Sequence, residues 1–202
     1  MAREFESALV QCGHDSLDSH LLLDMIMNGA NLTVSAGTAE SGEPSRNHEP
    51  ARLNPEAVKQ LLLKEIRENR YFGPCAAPPF WNLRTSPLSL EPKPGANPPW
   101  RLIHDLTSSG LNDRMQRIHV EMDSADEAAI AIAQHGAENC LLAKVDIKAA
   151  YRQIRVAPVS AHLQGASVDG EFYADRCLAF GGEGQPGIVV CGHVGHQTHN
   201  VV

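Results

Sequence analysis

The hydrophobic and polar positions of this chain fall into stretches of different period. The clearest helical stretch begins at Asn54-Pro55, where asparagine suits an N-cap and proline the first helical position. Val58, Leu61, Leu62, Glu65 and Ile66 follow at i, i+3, i+4, i+7 and i+8, one helix face on which only Glu65 is polar. This predicts a helix ending near Arg70, before Tyr71-Phe72-Gly73-Pro74. Residues 71–100 hold eight of the 13 prolines, so extended pieces there must be short. Thr85 to Leu90 and Trp100 to Leu106 read as two strands of a hairpin, with turn chemistry at Pro94-Gly95-Ala96-Asn97 and Lys93 near the tip. A helix is predicted over Ala125 to Gln134, capped by Asp123 or Ser124 and stopped at His135-Gly136. Leu141 to Val145 is a short apolar run ending in Asp146, the pattern of a buried strand with a carboxylate at its C-terminal end. Ile154 to Val156 reads as extended. Ala166 to Val168 and Glu171 to Ala174 read as a hairpin around Asp169-Gly170. Helices and strands mix without a regular βαβ repeat, which predicts an α+β fold.

The N-terminal quarter lacks such order. Leu21 to Met27 suits one or two helical turns. From Asn28 to Pro50 the chain is Gly, Ser, Thr, Asn, Glu and Pro without a period, the composition of a linker or disordered tail. Charge sharpens the division. The net charge is −7, yet residues 1–50 carry eight acids against two bases, and the remainder carries 16 against 15. The sequence therefore divides into an acidic, mostly disordered extension (1–52), a folded unit (53–181) and an anomalous tail (182–202).

Composition excludes several classes. With 202 residues, 43% hydrophobic and 20% charged, the chain is neither wholly disordered, collagen-like nor a coiled coil. No apolar run reaches the roughly 18 residues of a membrane span, and the first residues do not read as a signal peptide. Five cysteines at irregular spacing favour a reducing, intracellular setting over a disulfide framework or secretion.

The chemistry concentrates in Lys144-Val145-Asp146-Ile147-Lys148-Ala149-Ala150-Tyr151. A carboxylate closing a buried strand suits a Mg²⁺ ligand, and an aromatic five residues later can flank the same site. Asp146 as the cap of a strand-to-helix turn is the plainer alternative. Five blocks, in order, extend this pattern. They are Phe72-Gly73-Pro74 with Asn82-Leu83-Arg84-Thr85-Ser86-Pro87-Leu88; Lys93-Pro94-Gly95 with Trp100-Arg101-Leu102-Ile103-His104-Asp105-Leu106; Leu111-Asn112; the Asp146 segment; and Cys177-Leu178-Ala179-Phe180-Gly181 with Pro186. Together they resemble the fingers and early palm of reverse transcriptases, especially those of retrotransposons.

The resemblance implies a right-hand polymerase fold with an incomplete palm. It implies RNA-directed DNA polymerisation with an RNA template, a DNA primer, deoxynucleoside triphosphate and Mg²⁺. It assigns Asp146 as the first catalytic, metal-binding aspartate. Tyr151 takes the place beneath the nucleotide sugar, where a bulky ring excludes a 2′-hydroxyl. Arg101 and Lys93 take the triphosphate contacts of the fingers hairpin, and the backbone of Ile147, Lys148, Ala149 and Ala150 the triphosphate cradle. Phe180 and Gly181 lie against the nucleotide and template base. Nucleic-acid affinity would draw on Lys93, Arg101, Arg114, Arg117, Lys144, Lys148, Arg152 and Arg155.

The sequence departs from the family in two places. Its second carboxylate cluster, a Tyr-x-Asp-Asp hairpin, lies some 70 or more residues past the motif that Asp146 matches. Here 56 residues follow Asp146, and no Asp-Asp pair occurs. One carboxylate does not clamp two metal ions about 3.5–4 Å apart, so these 202 residues are expected not to polymerise DNA alone and to need the second half of a polymerase as partner. After Gly181, the tail reads as an out-of-frame translation: deletion of one base in a run of G at Gly181-Gly182 would restore a family-like loop and helix. Cys191, His193, His196 and His199 could ligate Zn²⁺ by chemistry alone, but they match no finger spacing, and Gly192 and Gly195 oppose a helix. A zinc site is therefore not expected. A non-catalytic nucleic-acid-binding or metal-binding module is the alternative function.

Overall fold

The computed structural model describes residues 17–35, 43–116, 125–141 and 148–182. In chain order the elements are helices α1 (Leu17–Asn28), α2 (Glu49–Leu53) and α3 (Pro55–Arg67), strands β1 (Tyr71–Cys75), β2 (Leu88–Pro92) and β3 (Trp100–His104), helices α4 (Ala125–His135) and α5 (Ala150–Gln153), and strands β4 (Gly165–Val168) and β5 (Glu171–Asp175). Short 3₁₀ turns occupy Asn112–Arg114, Ala137–Asn139 and Pro158–Leu163.

Helix α3 carries the face read from the sequence. Val58 and Leu62 are fully buried, and Leu61 and Ile66 pack at the margin of the same core. Each such burial is worth about 1.5–3 kcal/mol. Asn54 precedes the helix but makes no capping bond; its amide instead donates to the Pro50 carbonyl at 3.0 Å. The strands form two antiparallel sheets. One is the β2–β3 hairpin, with Leu88 opposite His104 and Pro92 opposite Trp100. The other is three-stranded in the order β1-β5-β4. Its hairpin turn is Asp169-Gly170, with φ of 50° and 80°, the left-handed pair that a two-residue hairpin turn requires. α3 packs on β1, β3 and β4, and α2 packs on β2. Between them lies one core cluster, centred on Val58, Leu62, Tyr71, Leu88, Leu90, Ala166 and Tyr173.

A second cluster joins distant segments: Ala30 and Leu32, Leu106, Leu111 and Met115, Val156 and Leu163, and Leu178 and Ala179. This departs from the linker expected over 28–50. Ala30 donates its N–H to the Arg155 carbonyl at 2.7 Å and accepts from Ala157 N–H at 2.8 Å. Gly29 makes that approach possible. It has φ of 83°, and a Cβ there would stand 2.7 Å from the Ala157 nitrogen. Residues 45–48 are also stitched in. Ser45 N–H donates to Thr85 Oγ1 at 2.7 Å, Asn47 Nδ2 to the Ser167 carbonyl at 2.8 Å, and Leu88 N–H to Asn47 Oδ1 at 2.9 Å. Polar side chains hold this stretch by hydrogen bonds, so it shows no hydrophobic period.

Other differences are local. The first strand of the proline-rich hairpin starts at Leu88, and Thr85 makes a single bridge to Gly165. Strand β1 lies in a stretch read as a helix stop; its register to β5 shifts between Phe72 and Cys75, where Gly73-Pro74 interrupts the ladder because proline has no N–H to donate. Helix α4 ends at His135, as the Gly136 stop predicts. Leu141 is fully exposed, and the rest of the expected strand, 142–145, falls outside the described residues with Asp146 and Ile147, as do 183–202. Among the described residues, no helix is long and apolar enough to cross a membrane.

Candidate nucleotide and nucleic-acid site

The segments 154–156 and 176–178 run side by side. Val156 N–H donates to the Arg176 carbonyl at 2.9 Å and Leu178 N–H to the Ile154 carbonyl at 3.0 Å. This pairing sets the start of one segment beside the end of the other. Ala149, in the left-handed region with φ of 52°, leads into α5. Tyr151, on α5, then meets Phe180, with ring centroids 4.9 Å apart and planes inclined by 59°. One face of Tyr151 rests on the second core cluster, whereas Phe180 is 57% exposed. The rings form a tilted aromatic pair, half anchored and half open to solvent.

Hydrogen bonds fix the loop that carries Phe180. Gln164, fully buried, donates Nε2 to the Cys177 carbonyl at 3.1 Å and accepts from Ala179 N–H at 3.2 Å. Asn112 Nδ2 donates to the Gly181 carbonyl and to Thr107 Oγ1, both at 2.8 Å, which ties the loop to the turn after β3.

Next to Tyr151 on α5, Arg152 occupies a buried charge network. Its Nη1 donates to both Asp175 oxygens, at 2.9 and 2.7 Å, and to the Leu178 carbonyl at 3.2 Å. Its Nη2 donates to Glu65 Oε2 at 3.0 Å. Its carbon Cζ lies 5.5 Å from the Tyr71 ring centre. Asp175 is 1% exposed. Burial opposes the Arg152 charge, but Asp175 and Glu65 outweigh it and hold the guanidinium protonated, above its usual range. This corrects the sequence reading of Arg152 as a nucleic-acid contact: its donors face inward. It also explains Glu65, the one polar residue on the α3 face.

A second buried pair lies alongside. Tyr71 Oη is 3.2 Å from His104 Nδ1, and His104 Nε2 is 3.0 Å from the Gly165 carbonyl. That carbonyl can only accept, so Nε2 carries the proton and the tyrosine donates to Nδ1. Burial pushes the His104 imidazole below its usual range. Burial first, then the Asp175 charge, pushes the Tyr71 phenol up.

In sequence, no family model matches the chain, and no curated protein does. In structure, it is similar to a foamy viral protease-reverse transcriptase dRH solved in complex with double-stranded DNA. The TM-score is 0.54 over 95% of this chain and 34% of that one, at 12% identity. The chain has a reverse-transcriptase-like fold. It spans about a third of that neighbour's length.

Within this reverse-transcriptase-like fold, the expected residues separate into groups. Tyr151, Phe180 and Gly181 come together, with Lys148, Ala149 and Ala150 leading into α5 beside them. Lys93 and Arg101 are exposed on the β2–β3 hairpin, with Arg101 opposite Glu91. Among the described residues no hydrogen bond or ion pair joins either side chain to the aromatic pair. Asp146 and Ile147 lie outside the described residues, as do Cys191, His193, His196 and His199. Among the described residues no group of three His, Cys, Asp or Glu could hold a metal ion. Asn112 stands in the Leu111-Asn112 block, but with no role assigned to it. Gln164 and Asp175 carry no signal in the sequence: each is a lone polar residue with a partner 13 or 23 positions away, and no periodicity marks such a residue.

Proposed function

We propose that this chain is the fingers and early palm of a retroelement RNA-directed DNA polymerase, and that it holds nucleotide and nucleic acid through the Tyr151–Phe180 pair. The observation that carries the reading is the pair itself. Two aromatics 29 positions apart meet at 4.9 Å, at the places where the motif resemblance puts the nucleotide sugar and base. The reverse-transcriptase-like fold supports it, and the neighbour's complex with double-stranded DNA supports nucleic acid as the ligand class.

In this reading Tyr151 lies beneath the sugar and excludes a 2′-hydroxyl, and Phe180 faces the base. The backbone of 147–150 cradles the triphosphate, and Arg101 and Lys93 reach its oxygens from the hairpin, where a guanidinium fork suits phosphate. RNA template and DNA primer are the remaining partners. Asp146 would contribute one Mg²⁺ ligand, and Mg²⁺ would supply charge stabilisation for nucleotidyl transfer. A single matched carboxylate does not fit a two-metal centre, so no catalytic step is assigned to these 202 residues alone.

Two measurements test this. Purified chain should bind dUTP more tightly than UTP, and Phe180→Ala should weaken dUTP binding by roughly 5- to 150-fold, since stacking on one base is worth about 1–3 kcal/mol. Equal affinity for the two nucleotides, unaffected by Phe180→Ala, would overturn the reading. With oligo-dT on poly-rA and Mg²⁺, no primer extension is expected; robust incorporation would sink the claim that the chain does not polymerise alone.

A further inference from the structure

Strand β5 ends at Asp175, and the chain runs on through the core to Phe180. At the strand's end Asp175 N–H donates to the Gln164 carbonyl at 2.8 Å, just before β4 begins. Past that point the Gln164 side chain takes over. Its Nε2 donates to the Cys177 carbonyl at 3.1 Å, and its Oε1 accepts from Ala179 N–H at 3.2 Å. A peptide unit of a neighbouring strand would offer the same donor and acceptor. The contacts also fix which way the amide points, since a carbonyl only accepts and a backbone N–H only donates. Gln164 is fully buried, as are Cys177, Leu178 and Ala179.

These bonds end one residue short of Phe180, which is exposed and packs on Tyr151. Beyond the ring, Gly181 has φ of 88°, and a Cβ there would meet nothing within 4 Å. The position of Phe180 is therefore set from the 177–179 side and by the Asn112 bond to the Gly181 carbonyl. On the 177–179 side, Leu178 is held by Ile154 and Arg152, and the Ala179 bond to Gln164 stands next to the ring. Removing the amide strips the Cys177 carbonyl and the Ala179 N–H of this partner in a place closed to water. The loop must then shift to satisfy them.

We propose that Gln164 is a positioning residue for the nucleotide: it pre-forms the 177–179 loop, so that Phe180 stands against Tyr151 as a rigid base platform before any ligand arrives. The proposal deepens the function given above and rests on it. Gln164 lies outside the five motif blocks, and the resemblance assigns it no role. The gain is in affinity, because a ring already in place loses less freedom when a base stacks on it.

The test is a double-mutant cycle on dUTP affinity, with the full chain, Gln164→Met, Phe180→Ala and the double variant. Urea melts run beside it identify variants that keep the fold. Gln164→Asn, the same amide one methylene shorter, stands in if Gln164→Met does not fold. In a folded chain Gln164→Met should weaken dUTP binding about five-fold or more, up to the loss given by Phe180→Ala, the range that stacking on one base spans. In the Phe180→Ala background it should change affinity less than about two-fold, because residues that act through one group are not additive. A merely structural Gln164 would lower the urea midpoint and leave affinity alone, or cost the same with and without Phe180; either result overturns the proposal. If the unaltered chain does not bind dUTP, the functional reading falls, and the ligand-free chain decides the positioning separately. A nuclear Overhauser contact between the Tyr151 and Phe180 rings that Gln164→Met abolishes supports it; one absent from the unaltered chain, or kept in the variant, ends it.

Discussion

Arg152 shows how one side chain can hold four segments. It joins α5 to the end of β5 through Asp175, to α3 through Glu65 and to the Phe180 loop through the Leu178 carbonyl. Removing one member of a buried pair leaves the other uncompensated, at a cost of about 3–5 kcal/mol. Arg152→Met and Asp175→Leu should each lower urea stability on that order. The double variant should lose less than the two singles together, because it leaves no orphaned charge on Asp175 or Arg152; strict additivity would contradict this. At this scale the sequence was partly legible. Tyr151 and Phe180 follow from motif position, and the structure places them in contact. The Arg152–Asp175 pair did not follow, since a charge 23 positions from its partner looks like any solvated residue until burial is known.

At the scale of elements, legibility tracks local chemistry. The β4–β5 hairpin was readable because Asp169-Gly170 specifies its turn, and α3 because its apolar residues keep helical spacing. Strand β1 was hidden by Gly73-Pro74, which breaks strand propensity while leaving Tyr71 buried. In the 29–34 segment Ala30, Leu32 and Val34 alternate with polar residues and all meet the second core cluster; the alternation is short and runs into the polar 35–50 stretch, whose composition reads as linker. That segment gives a sharp prediction. At Gly29 a side chain would meet the Val156–Ala157 backbone below 3.0 Å and would also need positive φ. Gly29→Ala should destabilise the fold by about 2 kcal/mol or more, read as a lower urea midpoint. A neutral or stabilising result would show that the N-terminal segment does not dock on Val156–Ala157.

For the whole molecule, His104 joins the two sheets, standing on β3 and bonding toward Tyr71 on β1 and Gly165 on β4. Its imidazole titrates below its usual range when folded, so the unfolded chain takes up the proton first as pH falls. Stability is therefore complete above the unfolded value, about 6.5, and declines as pH drops below it. Asp105 adds a second, more acid phase. Burial opposes its charge, but Ser108 and His48 hold it down to about 2, so its contribution is lost between the ordinary carboxylate range and that value. Urea midpoints measured across pH 2–8 should fall on the acid side, and His104→Gln should flatten the upper part of the curve.

The docking of residues 29–34 also bears on how the chain is made. Leu32 N–H bonds to Ser160 Oγ, 128 positions later. At synthesis rates of about 5–20 residues per second, Leu32 leaves the ribosome on the order of 6–25 s before its partner exists. The second core cluster closes only once Leu178 and Ala179 have been added. The α3 helix can nucleate earlier from local contacts, but Ala30 and Leu32 stay exposed throughout the interval. The earliest apolar residues of this core are thus the last to be covered, and a holding chaperone would have its longest window there.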